Sequence, residues 1–122
     1  MLALTMVEVE ACVSIEQPNV VDGIATDPVT GEVVLLLSDH LAWDDSEPEH
    51  LMLLQEKVNT YLRFIESGEL VERYPNALGR RAVIEVVCLH TPGDQARRFF
   101  AAAGDVITDA GFALRYRVSP AQ

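Results

Sequence analysis

The stretch EVVLLLS, residues 32–38, decides the fold of this 122-residue chain. Its central positions are all apolar, whereas a strand with one wet face alternates apolar and polar side chains. A short run that is apolar on both sides is typical of a central strand with both faces covered. We therefore expect this segment to lie inside a sheet, with the other elements arranged around it.

The residues before this strand predict a hairpin. In Asp27-Pro28-Val29-Thr30-Gly31, Pro28 fixes its own φ, Asp27 can accept bonds from the backbone ahead, and Gly31 can adopt the left-handed conformation. The turn follows an extended segment over residues 19–26. Residues 7–15, VEVEACVSI, alternate apolar and polar side chains and predict one further strand.

The residues after this strand predict an amphipathic helix that ends at Gly68. Its apolar positions recur at steps of three and four: Leu51, Leu54, Val58, Tyr61, Leu62 and Ile65. Lys57 belongs to the set expected on the wetter side. Residues 67–81 contain Tyr74-Pro75-Asn76 and Gly79, and we expect a long connection there.

The last third of the chain predicts a strand, a helix and a strand. AVIEVVCLH, residues 82–90, is β-branched, and FALRYRVS, residues 112–119, alternates. Between them, Thr91 is expected to be the N-cap of a helix with Pro92 at its first position. The buried stripe of that helix is expected to be Phe99, Phe100, Ala103, Ile107 and Ala110.

The order (β)ββαβαβ predicts an α+β fold, a two-layer α/β sandwich. Each strand-helix-strand connection favours a parallel pair, so we expect a mixed sheet of four to five strands with two helices on one face. The other face should carry Glu85, Arg115 and Arg117 among aliphatic side chains. Residues 1–15 are expected to form an extra strand or extension, and residues 16–122 a single domain.

Charge is unevenly distributed along the chain, whose net charge is −10. Residues 1–50 hold eleven acids and no Lys or Arg, whereas residues 51–122 hold eight acids and nine bases. Phosphate binding needs clustered cations, so we expect no nucleic-acid partner. The composition favours a protein partner, such as a basic protein, or a homodimer.

No apolar run approaches the roughly 18 residues that a membrane span needs. The amino-terminal residues lack the basic start and apolar core of a secretion signal, and Cys12 and Cys88 are too few for a disulfide framework. We therefore expect a cytoplasmic protein without membrane contact.

Three segments carry a family resemblance: VVDGIATDPVTGEVVLLLSDHLAW, LLQEKVNTYLRFIESGEL and YPNALGRRAVIEVV. They are similar to a family of small bacterial proteins known only as a domain of unknown function. Its features are a hairpin that ends in Ser-Asp-His and a Trp, a helix with Leu-Gln-Glu-Lys and Glu-Ser-Gly, and a Tyr-Pro loop. The resemblance covers about residues 16–119 and implies a bacterial, cytoplasmic, single-domain protein. It implies no activity.

The segment LSDHLAWDDSEPEH, residues 37–50, holds the candidate binding residues Asp39, His40, Trp43 and His50. Their oxygen and nitrogen atoms suit zinc, manganese or iron. Glu47-Pro48-Glu49-His50 has the Glu-x-x-His spacing of di-metal bundles, yet the sequence contains no second copy. We therefore predict no resident metal, no cofactor and no catalytic residue.

Helix capping explains several of the same residues. Ser46 and Glu49 have the spacing of a capping box, and nearby acids favour the positive end of a helix dipole. Trp43 is expected to seal the end of the core.

The sequence favours a non-enzymatic protein-interaction module. The alternative is a metal or small-ligand site built from Asp39, His40, Trp43 and His50, which requires both histidines to converge on a shared carboxylate. A further alternative is an immunity-type inhibitor of a basic partner, which requires the eleven amino-terminal acids to form one face.

Overall fold

The computed structural model describes residues 23–43 and 47–119. The elements are β1 Gly23–Thr26, β2 Val33–Asp39, α1 Glu47–Glu66, α2 Glu69–Arg73, β3 Ala82–Cys88, α3 Asp94–Asp109 and β4 Ala113–Val118. The strand predicted over residues 7–15 lies outside the described residues. The connection predicted over residues 67–81 is more structured than expected, because it contains α2 and a 3₁₀ turn, Pro75–Ala77.

The strands form one mixed sheet in the order β1-β2-β3-β4. β1 pairs with β2 in antiparallel fashion through the predicted hairpin, and β3 runs parallel to both β2 and β4. β2, the strand of EVVLLLS, has neighbours on both sides. The predicted α+β class, mixed sheet and element order are therefore confirmed.

One face of the sheet carries the hydrophobic core. Alternate residues of the two central strands point into it: Val33, Leu35, Leu37, Ala82, Ile84 and Val86. These side chains pack with buried residues of both α1 and α3 in a single cluster, so the two longer helices cover the same face. Burying one side chain of this size contributes roughly 1.5–3 kcal/mol, which makes this face the main source of stability.

The inward face ends in two residues of a different kind, Asp39 and Cys88. They are register partners at the carboxyl ends of β2 and β3, and both are buried. The alternation that directs Leu35 and Leu37 inward also directs Asp39 inward. A carboxylate therefore lies at the edge of the core, where it must find hydrogen-bond donors.

The prediction for the solvent-exposed side of helix α1 is wrong at one residue. Lys57 is 0% exposed, and its ammonium group lies 6.0 Å from the centroid of the Tyr61 ring. The residue stands three positions after the buried Leu54, so its long aliphatic stem can pack at the edge of the buried face. The helix ends as predicted before Gly68, which has φ 90°.

The predicted start of α3 is also wrong. The helix begins at Asp94, and its N-cap is Gly93 rather than Thr91. Gly93 has no side chain with which to cap the helix, so the free N–H groups need an acceptor from elsewhere in the fold. Glu47 supplies that acceptor at the site described below.

The other face of the sheet carries the predicted charged group. Glu85 accepts hydrogen bonds from Arg115 Nη2 at 3.2 Å and from Arg117 Nε at 2.5 Å. The register pairs Glu85 directly with Arg115, and Arg117 stands two residues further along β4 on the same face. One carboxylate thus offsets two guanidinium groups on this face.

Candidate functional site

The centre of the candidate site is a buried pair, His50 and Asp39. His50 Nε2 lies 2.7 and 2.6 Å from the two carboxylate oxygens of Asp39, and Nδ1 lies 3.0 Å from the carbonyl oxygen of Ala42. A carbonyl oxygen can only accept, so Nδ1 carries a hydrogen. With Asp39 as a carboxylate, Nε2 donates to it as well. The pair joins the end of β2 to the first turn of α1.

Trp43 covers this pair. Its ring stacks on that of His50 with the centroids 3.5 Å apart and the planes at 14°. Trp43 is 6% exposed, which agrees with its expected place at the end of the core. Its Nε1 is buried without a hydrogen-bond partner, and it is the only such side-chain atom among residues 23–43 and 47–119.

Three of the four candidate residues therefore meet, and one does not join them. Asp39, Trp43 and His50 are in contact, whereas His40 is exposed. In the described part of the chain, no three His, Cys, Asp or Glu side chains are grouped to hold a metal ion. The two histidines thus do not converge on a shared carboxylate there. Asp44, Asp45 and Ser46 lie outside the described residues, as does the predicted capping box.

Cys88 lies beside Asp39, and its thiol has low reactivity. Burial, and secondarily the negative charge of Asp39, raise the pKa of the Cys88 thiol to about 12 from its ordinary value of 9.0. Only the thiolate is an effective nucleophile, so the thiol is unreactive near neutral pH. Its position beneath the pair supports packing rather than chemistry.

An open cleft of about 450 Å³ lies above the cluster, and we call it the carboxyl-end cleft. It is bounded by the segments that follow β2 and β3, and its lining residues are Ala42, Trp43, Glu47, His90, Thr91 and Gly93. Glu47 Oε2 accepts a hydrogen bond from the backbone N–H of Ala96 at 3.1 Å. The carboxylate of α1 therefore caps α3 across the cleft.

Sequence reasoning did not identify Glu47, His90 or Thr91 as residues of one site. Glu47 and Ala96 are 49 positions apart, and both Glu47 and Thr91 have ordinary local explanations as residues near helix starts. Only the parallel pairing of β2 with β3 brings the two loops together.

Substitution of Glu47 by Ala should lower the free energy of unfolding by about 1 kcal/mol, because α3 loses its acceptor at Ala96. Glu47→Gln is the matched control: its amide oxygen can accept the same bond, so it should lose only a few tenths of a kcal/mol. Urea unfolding followed by circular dichroism measures both values. Equal losses in the two variants would contradict the capping role.

A second surface lies at the opposite end of the sheet, and we call it the loop end. Val29 in the β1–β2 turn is 91% exposed, and Leu78 after the 3₁₀ turn is 73% exposed. Arg80 connects the two loops, because its guanidinium group donates to the carbonyl oxygens of Gly31 at 3.0 Å and Asn76 at 2.7 Å. Beside them lies a cleft of about 340 Å³ lined by Ile24, Ala25, Thr26, Val33, Arg73, Tyr74, Pro75, Asn76 and Ala77.

Comparison with known protein families identifies a match for most of the chain. A family described as "Family of unknown function (DUF6572)" matches residues 13–120, in agreement with the resemblance seen in the sequence. No match was found among curated proteins or among solved structures. Within the described residues, no helix is both long and apolar enough to cross a membrane.

Proposed function

This chain belongs to the family of unknown function DUF6572, and we propose that it is a non-enzymatic protein-interaction module of the bacterial cytoplasm. The observation that carries the proposal is the pair of exposed aliphatic side chains at the loop end, Val29 and Leu78. Single exposed aliphatic residues are ordinary on protein surfaces, but two on loops that are bonded together beside a cleft are typical of a binding surface.

The turn that presents Val29 is internally bonded. Asp27 Oδ1 accepts the N–H groups of Val29 at 2.8 Å and Thr30 at 3.2 Å, and these bonds lower the pKa of the Asp27 carboxyl group. Gly31 N–H closes the turn on the Asp27 carbonyl oxygen at 2.8 Å. A loop that is already ordered loses little conformational entropy when it binds, which favours affinity.

The neighbouring cleft has a composition that suits a protein partner. Tyr and Arg are enriched at the centres of protein interfaces, and Tyr74 and Arg73 both line this cleft. The charges around it are balanced, since Arg73 pairs with Glu69 and Arg81 lies 3.8 Å from Glu32. The surface therefore favours a partner with an apolar anchor side chain over one selected by charge.

The immunity-type alternative has weaker support. It needs the amino-terminal acids to share one face, yet Asp39 is buried against His50 and Glu47 is bonded to the start of α3. Asp27 and Glu32 lie at the loop end, at the opposite edge of the sheet. The charge distribution of the chain still disfavours nucleic acid as the partner.

Quantitative capture from extracts of the native cells tests the proposal. The double variant Val29→Asp/Leu78→Asp should retain at least tenfold less of any stoichiometric partner, because each buried aliphatic side chain contributes about 1.5–3 kcal/mol and tenfold is about 1.4 kcal/mol. Both positions are exposed, so circular dichroism should show an unchanged fold.

The matched control is Met52→Asp/Val106→Asp, two substitutions of the same kind on α1 and α3 at positions that are 65% and 69% exposed. The control should capture the partner as well as the unmodified chain does. Light scattering over a range of concentrations identifies a second copy as the partner. The proposal is wrong if both double variants lose the partner equally, or if the unmodified chain captures none.

A further inference from the structure

We propose that the partner of this chain binds through an extended segment that lies along the free edge of β1 and adds a strand to the sheet. The inference rests on the function proposed above and specifies how the partner is held at the loop end. β1 is the first strand in the order β1-β2-β3-β4, so one of its edges pairs with β2 and no described strand pairs with the other. Strand addition at such an edge is a common mode of peptide recognition.

The hydrogen bonds of the hairpin establish which main-chain groups reach this edge. In an antiparallel pair, residues that exchange hydrogen bonds alternate with residues whose N–H and C=O groups point away from each other. Asp27 N–H donates across the hairpin to the carbonyl oxygen of Glu32 at 2.8 Å. Counting back along β1, Thr26 and Ile24 therefore direct their N–H and C=O groups away from β2. Val33, the partner of Thr26, agrees with this count, because its N–H donates on the β3 side at 2.9 Å.

The edge of β1 lacks the side chains by which proteins protect sheet edges from strand addition. Such protection commonly comes from charged residues or prolines on the edge strand. The other edge strand, β4, carries Arg115 and Arg117, whereas β1 reads Gly-Ile-Ala-Thr, without a charge or a proline. Ala25 and Thr26 are also exposed. Of the two edges of the described sheet, β1 is therefore the one that suits a further strand.

The loop-end cleft of about 340 Å³ lies along the same edge. Its lining includes all of Ile24, Ala25 and Thr26 together with residues 73–77. Ile24 packs towards the core, so an added strand would place every second side chain on that face, beside the cleft. Ile24, Val33 and Ala77 contribute apolar surface to the lining, so an aliphatic side chain fits it best.

The occupant that we expect is one extended segment of another protein rather than a second copy of this chain. Residues 73–77 bound the cleft, and a second copy paired through β1 would bring its own residues 73–77 to the same edge. Ile24 and Thr26 offer only two N–H and two C=O groups, so the apolar side chains of Val29 and Leu78 must supply further contacts.

Charge narrows the chemistry of this segment. The nearby charged side chains are paired, since Arg73 bonds to Glu69 and Arg81 lies 3.8 Å from Glu32. The whole chain carries a net charge of −10, which repels an acidic segment. The segment is therefore expected to be uncharged or weakly basic and rich in the β-branched residues that favour extended chains.

Short linear peptides displayed on phage and selected on the purified full chain supply a probe that does not depend on capture from cells. We expect the selected peptides to alternate β-branched or aliphatic residues with uncharged polar ones. When the strongest binder is added, the N–H groups of Ile24 and Thr26 should exchange with deuterium at least about tenfold more slowly in nuclear magnetic resonance spectra. The Ala25 N–H, which already points to β2, should change little.

Thr26→Pro tests the main-chain contact itself. Proline removes an N–H that points away from β2, so the hairpin bonds remain, and its ring occupies the place of an added strand. The affinity for the selected peptide should fall at least about tenfold in fluorescence anisotropy. Thr26→Val, which keeps the N–H, is the matched control and should stay within about twofold of the unmodified chain.

If Thr26→Pro unfolds, as circular dichroism would reveal, N-methylated forms of the peptide decide. An added strand bonds to β1 through one of its own edges, so N-methyl groups on alternate residues should abolish binding in one of the two series and spare it in the other. Equal affinities of the Pro and Val variants, equal effects of the two series, or no peptide that binds the unmodified chain would overturn the inference. A dimer in light scattering that Thr26→Pro dissociates would do the same, because a second copy would then occupy the edge.

The function proposed above is decided separately. Loss of the cellular partner in Val29→Asp/Leu78→Asp with full capture by Thr26→Pro would leave the docking surface standing and reject the added strand. Peptide binding that Thr26→Pro abolishes, with no partner captured by the unmodified chain, would support the added strand and reject the proposed function.

Discussion

Replacement of His50 by Phe should lower the free energy of unfolding by about 3–5 kcal/mol, the largest single-residue effect that we expect at this site. Phe preserves a flat ring that can stack on Trp43, so the packing changes little. What is lost is the donor at 2.6–2.7 Å from the Asp39 carboxylate, which then keeps the Leu41 N–H at 3.1 Å as its one donor among the described residues. A buried charge with one donor is costly because the fold excludes water from it.

Substitution of Asp39, the other partner of the pair, should lower the free energy of unfolding less. In Asp39→Asn the side chain keeps its size, so His50 Nδ1 can keep its bond to the Ala42 carbonyl oxygen and Nε2 can accept from the new amide. We expect a loss of about 1 kcal/mol. The double variant Asp39→Leu/His50→Phe should recover much of the loss of His50→Phe, since neither partner of the pair is then left buried alone.

Urea unfolding followed by circular dichroism measures this series without relying on the Trp43 signal. The matched control is His90→Phe, the same substitution at an exposed position, which should change stability by less than about 0.5 kcal/mol. An unfolding free energy of His50→Phe within 1 kcal/mol of the unmodified chain would contradict an ion pair at this position.

The fold could be predicted because its signals are local. EVVLLLS reveals a central strand by its lack of alternation, and the Asp27–Gly31 turn reveals the hairpin by its residue types. The start of α3 could not be predicted in the same way. Thr91 and Pro92 form a plausible local cap, but Glu47 reaches the helix from 49 positions away, and Gly93 stands at the N-cap.

The candidate site was predictable in part. Asp39 continues the inward alternation of Leu35 and Leu37, and His50 stands four positions before the buried Leu54, so both side chains could be placed inside by counting. Their mutual contact depends on how α1 returns over β2, which no local pattern gives. Lys57 shows the converse: its charge predicts exposure, whereas its place on the helix buries it.

The two ends of the sheet differ in which side chains stay available for a partner. At the carboxyl end, two carboxylates make structural hydrogen bonds: Asp39 bonds to His50, and Glu47 caps the start of α3. At the loop end, hydrogen bonds order the backbone while Val29 and Leu78 stay exposed. Val29 and Leu78 are the two most exposed large apolar side chains of the described residues, and both stand on loops that hydrogen bonds order, which supports the docking surface proposed above.

Cys88 should react with an aromatic disulfide reagent at least a thousandfold more slowly in the folded chain than in the unfolded chain at pH 8. In a Cys12→Ser background it is the only thiol. A pKa of about 12 instead of 9.0 is a difference of three pH units, which lowers the thiolate fraction a thousandfold, and full burial excludes the reagent further.

The raised pKa of Cys88 also determines how the stability of the chain changes at alkaline pH. The pKa of Cys88 is raised in the folded state, so between about pH 9 and pH 12 the unfolded thiol loses its proton while the folded thiol keeps it. The folded state then binds more protons, and stability falls as the pH rises through this range. Asp39→Asn removes the secondary cause of the shift and should speed the folded-state reaction, whereas His40→Phe should not. A folded-state rate within tenfold of the unfolded rate would mean that the end of β3 opens readily. The Asp39–His50 pair could not then hold this end of the sheet rigidly against α1.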